Sequence, residues 1–213
     1  MAYTELVFIL DKSGSMAGLE DDTIGGYNAM LAKQKEVEGS CLVTTVLFDH
    51  SMRLIHDRID LRAVQPLTEK EYQVGGSTAL LDAMGSAIQK ISDVQEQSGE
   101  EYRADKVLFV IITDGCENSS RDFSPNKVKA LVEEHKEQGW EFVFLGANMD
   151  AIAAASSYGI SADRAQSYHS DHLGVALNFA VMSDVVASYR RTGVLDDEWK
   201  KTIASDFERR KKS

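Results

Sequence analysis

The sequence predicts an α/β protein with a doubly wound, mostly parallel central sheet that has one antiparallel edge strand and helices on both faces. Apolar runs of strand length alternate with helical periodicity along the whole chain, as in βαβ units. Residues 107–112 are apolar at every position, which is expected of a central strand covered on both faces. The 213 residues include only 2 prolines and contain no repeat or linker, so we expect one domain of ordinary size.

Six segments have the length and composition of strands. Residues 41–48 are rich in β-branched side chains. Residues 52–61 alternate more weakly and follow a tight turn at 49–51, which favours an antiparallel edge strand. The predicted strands cover residues 6–10, 41–48, 52–61, 107–112, 142–145 and 165–168.

The intervening segments have apolar residues at helical spacing. Five helices are predicted, at 24–31, 81–94, 125–138, 150–158 and 173–189. Ser124 and Pro125 supply an N-cap and a first-turn proline for the third helix, and Gly139 ends it. Asp171 precedes the last of these helices and Gly193 follows it. This order of strands and helices is that of a Rossmann-like sheet.

Residues 194–213 form a possible extension to a domain at 1–193. Four apolar residues there are spaced four apart: Leu195, Trp199, Ile203 and Phe207. Acidic residues at 196–198 and basic residues at 209–212 would complement the dipole of one helix. We expect this amphipathic helix to lie on the domain's own surface. The alternative is that it contacts a partner or a second copy of the chain, so that the protein is a monomer or a weak dimer.

The overall charge excludes two classes of partner. The formal net charge is -11 and the isoelectric point is about 4.9, which disfavours contact with nucleic-acid phosphates and with anionic membranes. No apolar stretch approaches the length of a membrane span, and no basic segment precedes the first apolar run, so we expect a cytoplasmic protein. Cys41 and Cys116 lie at opposite ends of predicted parallel strands and are expected to be free thiols.

Oxygen-bearing side chains follow the ends of two predicted strands. Another lies just before the helix between those strands. Asp11, Ser13 and Ser15 come directly after the first strand, and Asp114 follows the strand at 107–112. Thr78 closes the segment Gly-Gly-Ser-Thr before the second helix. Ligands bind beyond the carboxyl ends of parallel strands, and carboxylates and hydroxyls are hard ligands that suit Mg2+. Each residue alone could be an ordinary cap or turn residue, but their coincidence predicts a metal site.

These three motifs resemble the metal-ion-dependent adhesion site (MIDAS) of von Willebrand factor A domains. The matching elements, in order, are Asp-Lys-Ser-Gly-Ser at 11–15, Gly-Ser-Thr at 76–78 and Thr-Asp-Gly at 113–115, and the resemblance covers roughly residues 4–190. It implies that Ser13, Ser15 and Thr78 are hydroxyl ligands. It implies that Asp11 and Asp114 act through water or through hydrogen bonds to those hydroxyls. The implied ion is Mg2+, with Mn2+ or Ca2+ as substitutes, in a stand-alone intracellular protein of a bacterial or phage type.

The hydroxyl ligands suggest how such a site would work. Neutral ligands leave much of the ion's charge uncancelled, so that a carboxylate from an Asp or Glu of a protein partner could complete the coordination. We therefore expect a binding module and not an enzyme. The alternative is a Mg2+-dependent hydrolase that uses metal-bound water, for which Asp49, His50 and Glu117 are the candidate bases. The spacing of His169 and His172 is metal-like, but nothing completes a zinc site.

Overall fold

The computed structural model describes residues 3–211. Within them, six strands form one sheet: β1 (Tyr3–Asp11), β2 (Ser40–Phe48), β3 (Met52–Asp60), β4 (Lys106–Thr113), β5 (Glu141–Ala147) and β6 (Ala165–Tyr168). Six α-helices surround it in the same part of the chain: α1 (Glu20–Lys35), α2 (Leu80–Gln97), α3 (Pro125–Glu137), α4 (Ala151–Ser157), α5 (His172–Thr192) and α6 (Lys201–Lys211).

The strands lie in the order β3-β2-β1-β4-β5-β6. Only β3 is antiparallel to its neighbour, and the other neighbouring pairs are parallel. The predicted doubly wound sheet with one antiparallel edge strand is therefore confirmed. Because β1 lies at the point where the strand order reverses, the ends of β1 and β4 meet at the crevice where such sheets bind ligands.

The alternation of side chains along β1 builds two cores. Leu6, Phe8 and Leu10 face the side covered by α1 and α5, whereas Val7 and Ile9 face the side covered by α2, α3 and α4. The ring of Phe8 meets that of Tyr27 edge to face, with centroids 5.5 Å apart. All of these side chains are buried, which fixes the position of β1 relative to both helical layers.

The structure extends several predicted elements. Parallel pairing with β2 carries β1 back to Tyr3, and pairing with β4 begins at Thr4, so the strand extends beyond the apolar run and includes the buried Glu5. The side chain of Asp171 caps α5 by accepting a hydrogen bond from the Gly174 N–H at 2.8 Å. Gly193, in a left-handed conformation with φ 73°, ends that helix.

The C-terminal segment differs from the single helix that was predicted. A 3-10 turn at Asp197–Lys200 precedes α6. Of the predicted basic residues at 209–212, only residue 212 lies outside the described residues. The apolar stripe faces the domain: Leu195 and Ile203 are buried, and the Trp199 indole donates to the Asp163 carbonyl at 3.1 Å. The helix contacts β6 and α5, so it covers an edge of the sheet. In residues 3–211, no helix is long and apolar enough to cross a membrane.

Candidate metal centre

Backbone hydrogen bonds join two of the three predicted site segments. The chain leaves β1 into a 3-10 turn at Gly14–Met16. The N–H of Gly14 donates to the Gly76 carbonyl at 3.0 Å, and the N–H of Gly75 donates to the Lys12 carbonyl at 2.9 Å. Gly76 has φ 76°, and a Cβ there would lie 2.4 Å from the His50 ring, so only glycine fits this crossing. The loop that carries Thr78 is thereby held against the loop that carries Ser13 and Ser15.

Three hydroxyls converge around the backbone of Gly115, at the end of β4. The Oγ atoms of Ser13 and Ser15 are 3.1 Å apart. A Cβ added at Gly115 would lie 3.2 Å from both Ser15 Oγ and Thr78 Oγ1, and 4.0 Å from Ser13 Oγ. Adjacent ligands of an octahedral ion with bonds near 2.1 Å are roughly 3.0 Å apart. The spacing of the two serine hydroxyls therefore fits neighbouring positions around Mg2+.

The two predicted aspartates accept hydrogen bonds from the hydroxyl cluster and from the residues around it. Asp11 Oδ1 accepts the Ser13 N–H at 2.7 Å, and its Oδ2 accepts the Thr113 hydroxyl at 2.5 Å. Asp114 Oδ1 accepts the Ser15 hydroxyl, and its Oδ2 accepts the Ser170 hydroxyl at 2.9 Å. All four carboxylate oxygens thus have donors within the protein. This arrangement suits carboxylates that orient the hydroxyl ligands and lie behind them.

The burial of these two carboxylates would favour the binding of a cation close to them. Asp11 and Asp114 are each 1% exposed. Burial raises the pKa of Asp11, and the charge of Asp114 adds to the shift, although hydrogen bonds from Ser13 and Thr113 oppose it. Neither aspartate forms an ion pair with a basic side chain of residues 3–211. Two buried, unpaired carboxylates leave a negative potential that a divalent ion at the hydroxyls would offset.

Several residues that the sequence did not single out hold the site in place. The hydroxyl of Tyr72 donates to the Asp11 carbonyl at 2.5 Å, and that of Tyr168 donates to the Thr113 carbonyl at 3.2 Å. Asn118 accepts the Thr78 N–H on its side-chain oxygen at 2.9 Å. No spacing marks these residues in the sequence. Ser170, which follows the strand β6, could have been found by the same strand-end reasoning that found Asp114.

The three candidate bases near the hydroxyl cluster have structural contacts. Asp49 contacts the Lys12 ammonium and accepts the N–H and hydroxyl of Ser51. Burial opposes its ionisation, but these hydrogen bonds hold the pKa of Asp49 below its usual value. Glu117 accepts four hydrogen bonds, from the N–H groups of residues 81, 119 and 120 and from one serine hydroxyl. The side chain of His50 is 65% exposed and lies 3.2 Å from Asp49.

The cysteines and the remaining histidines form no second site. Cys116 is exposed and Cys41 is buried, and both are free thiols, as predicted. His169 donates from Nε2 to the Phe207 carbonyl at 3.0 Å, whereas His172 contacts Asp22, so the two rings have different partners. Within residues 3–211, no three His, Cys, Asp or Glu side chains are grouped so that they could hold a metal. The hydroxyl cluster is not a group of that kind, because the oxygens that converge there belong to two serines and one threonine.

The chain shares its fold with solved structures of von Willebrand factor A domains. The vWF domain of the type V pili tip protein Mfa5 from Porphyromonas gingivalis is 12% identical, with a TM-score of 0.58 over 92% of this chain and 99% of that one. Proximal thread matrix protein 1 from the mussel byssus, solved with a zinc-occupied MIDAS motif, is 14% identical, with a TM-score of 0.58 over 87% and 46%. Manganese-loaded TRAP protein of Plasmodium vivax is 14% identical, with a TM-score of 0.53 over 83% and 72%.

At these identities the likeness shows the fold alone. The chain spans less than two thirds of the length of the first similar structures, such as 64% of a PilB minor pilin from Streptococcus sanguinis. No protein-family model matches the chain. A comparison with curated proteins finds no match either.

Proposed function

We propose that this protein binds a divalent cation at Ser13, Ser15 and Thr78 and uses it to capture a carboxylate of a protein partner. The observation that carries the proposal is the convergence of three neutral hydroxyls above two buried carboxylates whose oxygens are already hydrogen-bonded. Asp11 and Asp114 would orient the hydroxyls and balance part of the ion's charge.

Mg2+ is the ion that we propose, with Mn2+ and Ca2+ as substitutes. Hydroxyl oxygens are hard ligands, and Mg2+ takes few ligands from a protein. When bound, the ion would supply an electrophilic position for one more anionic oxygen. An Asp or Glu side chain of a partner has the charge and size for that position.

A binding role fits the surroundings of the cluster better than a hydrolase that uses Asp49 or Glu117 as its base. A general base must be free to accept a proton within hydrogen-bond reach of the reacting group. Asp49 is engaged by Lys12 and Ser51, and Glu117 already accepts four hydrogen bonds. We therefore propose a non-enzymatic module. Its proposed setting is the cytoplasm, with an acidic protein partner and without nucleic acid or membrane contact.

Calorimetric titration with MgCl2 and MnCl2 tests the metal site. The wild-type chain should bind one ion, and the double variant Ser13→Ala, Ser15→Ala should lose binding because two of three hydroxyls are gone. Ser205→Ala, an exposed position on α6, is the matched control and should bind as the wild type does. Absence of binding by the wild-type chain would refute the proposal.

Water-proton relaxation of the Mn2+ complex tests the capture of a carboxylate. Acetate is the minimal probe, and acetamide is its uncharged analogue. Acetate should lower the relaxation enhancement because it replaces a water in the open position, whereas acetamide should leave it unchanged. Equal effects of the two probes would contradict carboxylate capture and leave a metal site of another use.

A further inference from the structure

Helix α2 begins two residues after Thr78, and its own sequence supplies no cap. Ala79, at the N-cap position, forms no side-chain hydrogen bond to the helix. Glu117, which lies beyond the end of β4, takes that role, since its Oε2 accepts the Leu81 N–H at 2.9 Å. A carboxylate at this end of a helix satisfies a free N–H and interacts favourably with the helix dipole. The segment that follows β4 is thereby tied to the helix that follows Thr78.

Residues 117–123, which we call the clamp loop, are held to the first turn of α2 by further hydrogen bonds. Glu117 Oε1 accepts the N–H groups of Ser119 and Ser120 at 2.9 and 2.8 Å, so the loop closes on its own carboxylate. Asp82 accepts the N–H groups of residues 121, 122 and 123 at 2.8, 2.9 and 2.9 Å. The N–H of Asp82 donates to the Ser120 hydroxyl at 3.1 Å. The clamp loop and the start of α2 therefore form one hydrogen-bonded unit.

Asn118, in the clamp loop, holds both backbone polar groups of Thr78. Its side-chain oxygen accepts the Thr78 N–H at 2.9 Å, and its own N–H donates to the Thr78 carbonyl at 3.1 Å. These two bonds fix the peptide units on both sides of Thr78. Because threonine is branched at Cβ and has few χ1 rotamers, a fixed backbone also restricts where its hydroxyl lies.

Thr78 depends on support from its backbone more than the other two hydroxyl residues do. The Ser15 hydroxyl donates to Asp114, and the hydroxyls of Ser13 and Ser15 are hydrogen-bonded to each other. The Thr78 hydroxyl has no hydrogen-bond partner within residues 3–211, although the residue is buried. Its oxygen is therefore free for a cation, and its place is set by the backbone that Asn118 holds.

We propose that Asn118 is a positioning residue for Thr78 and that the clamp loop makes the metal centre selective for Mg2+ over Ca2+. This inference rests on the proposed metal-binding function. Mg2+ requires near-ideal octahedral geometry with bonds of about 2.0–2.1 Å, whereas Ca2+ accepts bonds of about 2.3–2.6 Å in flexible geometries. A Thr78 backbone that is fixed on both sides resists the expansion that Ca2+ needs. Loss of this support should therefore reduce the affinity for Mg2+ more than that for Ca2+.

Displacement of bound Mn2+ by Mg2+ and by Ca2+, measured by calorimetry on the full chain, tests this role. Asn118 is exposed, so its replacement leaves the core intact. Asn118→Ala removes the acceptor of the Thr78 N–H. It should weaken Mg2+ binding about tenfold, as is typical for loss of a residue behind a metal ligand, and Ca2+ binding no more than about threefold.

Two further variants separate positioning from a general effect of substitution. Asn118→Asp keeps an acceptor oxygen and should bind Mg2+ at least as tightly as the wild type. Asn126→Ala replaces an exposed asparagine on α3 and is the matched control, which should leave both affinities unchanged. Wild-type Mg2+ affinity in Asn118→Ala, or equal losses for Mg2+ and Ca2+, would overturn the inference, and so would an Asn118→Asp variant as weak as Asn118→Ala.

Amide exchange in the wild-type chain provides a readout that needs no variant. Without metal, the Thr78 N–H should exchange at least about tenfold more slowly than in the unfolded chain, because Asn118 already accepts it. Unprotected exchange of this amide would overturn the positioning role and leave metal binding by the wild-type chain intact. A wild-type chain that binds no metal would refute the proposed function and this inference together.

Discussion

The most specific prediction concerns Gly115, because a single added methyl group should disturb the metal centre without unfolding the protein. Its φ is outside the left-handed region, so alanine causes no backbone strain there. The added Cβ would lie 3.2 Å from Ser15 Oγ and from Thr78 Oγ1, which is closer than a methyl carbon normally approaches an oxygen. Both hydroxyls must therefore move by a few tenths of an ångström.

A movement of that size matters far more for the ion than for the fold. Ligand distances in a metal site are held to about 0.2 Å. We expect the Mg2+ affinity of Gly115→Ala to fall at least about tenfold, or ~1.4 kcal/mol. The free energy of unfolding without metal should change by no more than about 1 kcal/mol, because the lower entropy of the unfolded chain offsets part of the crowding.

Gly75→Ala is the matched control for this variant. Gly75 lies in the loop that leads to Thr78, its φ is also outside the left-handed region, and a Cβ there would meet no atom within 4 Å. Calorimetry with Mg2+ and urea unfolding in a chelator should be measured for both variants. The reasoning would be refuted if Gly115→Ala bound Mg2+ as tightly as Gly75→Ala and the wild-type chain.

Three further predictions concern residues other than the candidate metal ligands. Burial raises the pKa of Glu5 to about 7 from an ordinary 4.5. Between these pH values Glu5 holds a proton in the folded chain but not in the unfolded chain, so the free energy of unfolding falls by about 3 kcal/mol as the pH rises. Urea unfolding of Glu5→Gln should show its stability relative to the wild type rising by that amount from pH 4.5 to pH 8. A thiol reagent should label the exposed Cys116 in the native chain, and Cys41, whose pKa burial raises to about 12, only after unfolding. Gly85→Ala should destabilise by about 1–2 kcal/mol, because its Cβ would lie 2.1 Å from a phenylalanine ring, whereas Gly25→Ala, with nothing within 4 Å, should stabilise by up to about 1 kcal/mol.

Each of these has a clear contrary result. A stability difference between Glu5→Gln and the wild type that did not change with pH would show that burial does not raise the pKa of Glu5. Labelling of two thiols in the native chain would contradict the burial of Cys41. Equal effects of the two glycine substitutions in the unfolding assay would contradict the close helix packing at Gly85.

The strand positions could be predicted, and so could the approach of most candidate ligands to one edge of the sheet, because their signals are local. Each apolar run marks a strand, and Asp11 and Asp114 follow such runs directly, so parallel topology brings them to one edge. The boundaries were less predictable, since Thr4 and Glu5 join β1 through pairing with both neighbours and not through their own composition. Burial of a glutamate inside a strand has no local signature in the sequence.

The contacts that complete the site depend on tertiary packing. Tyr72 and Tyr168 lie more than 50 residues along the chain from their acceptors. Their hydroxyls donate to the backbone carbonyls of Asp11 and Thr113. The stripe on α6 predicted a surface-bound helix, but nothing in its spacing indicated that Phe207 and Arg210 would reach the loop of Ser170. Such contacts follow from where the sheet edge places the helix.

The most direct test of the metal centre is anomalous diffraction from a crystal of this chain grown with Mn2+. The account predicts an anomalous peak within about 2.2 Å of Ser13 Oγ, Ser15 Oγ and Thr78 Oγ1, with Asp11 and Asp114 outside bonding distance or joined through water. A crystal with no peak at these hydroxyls, or with manganese bound only to other carboxylates, would contradict it.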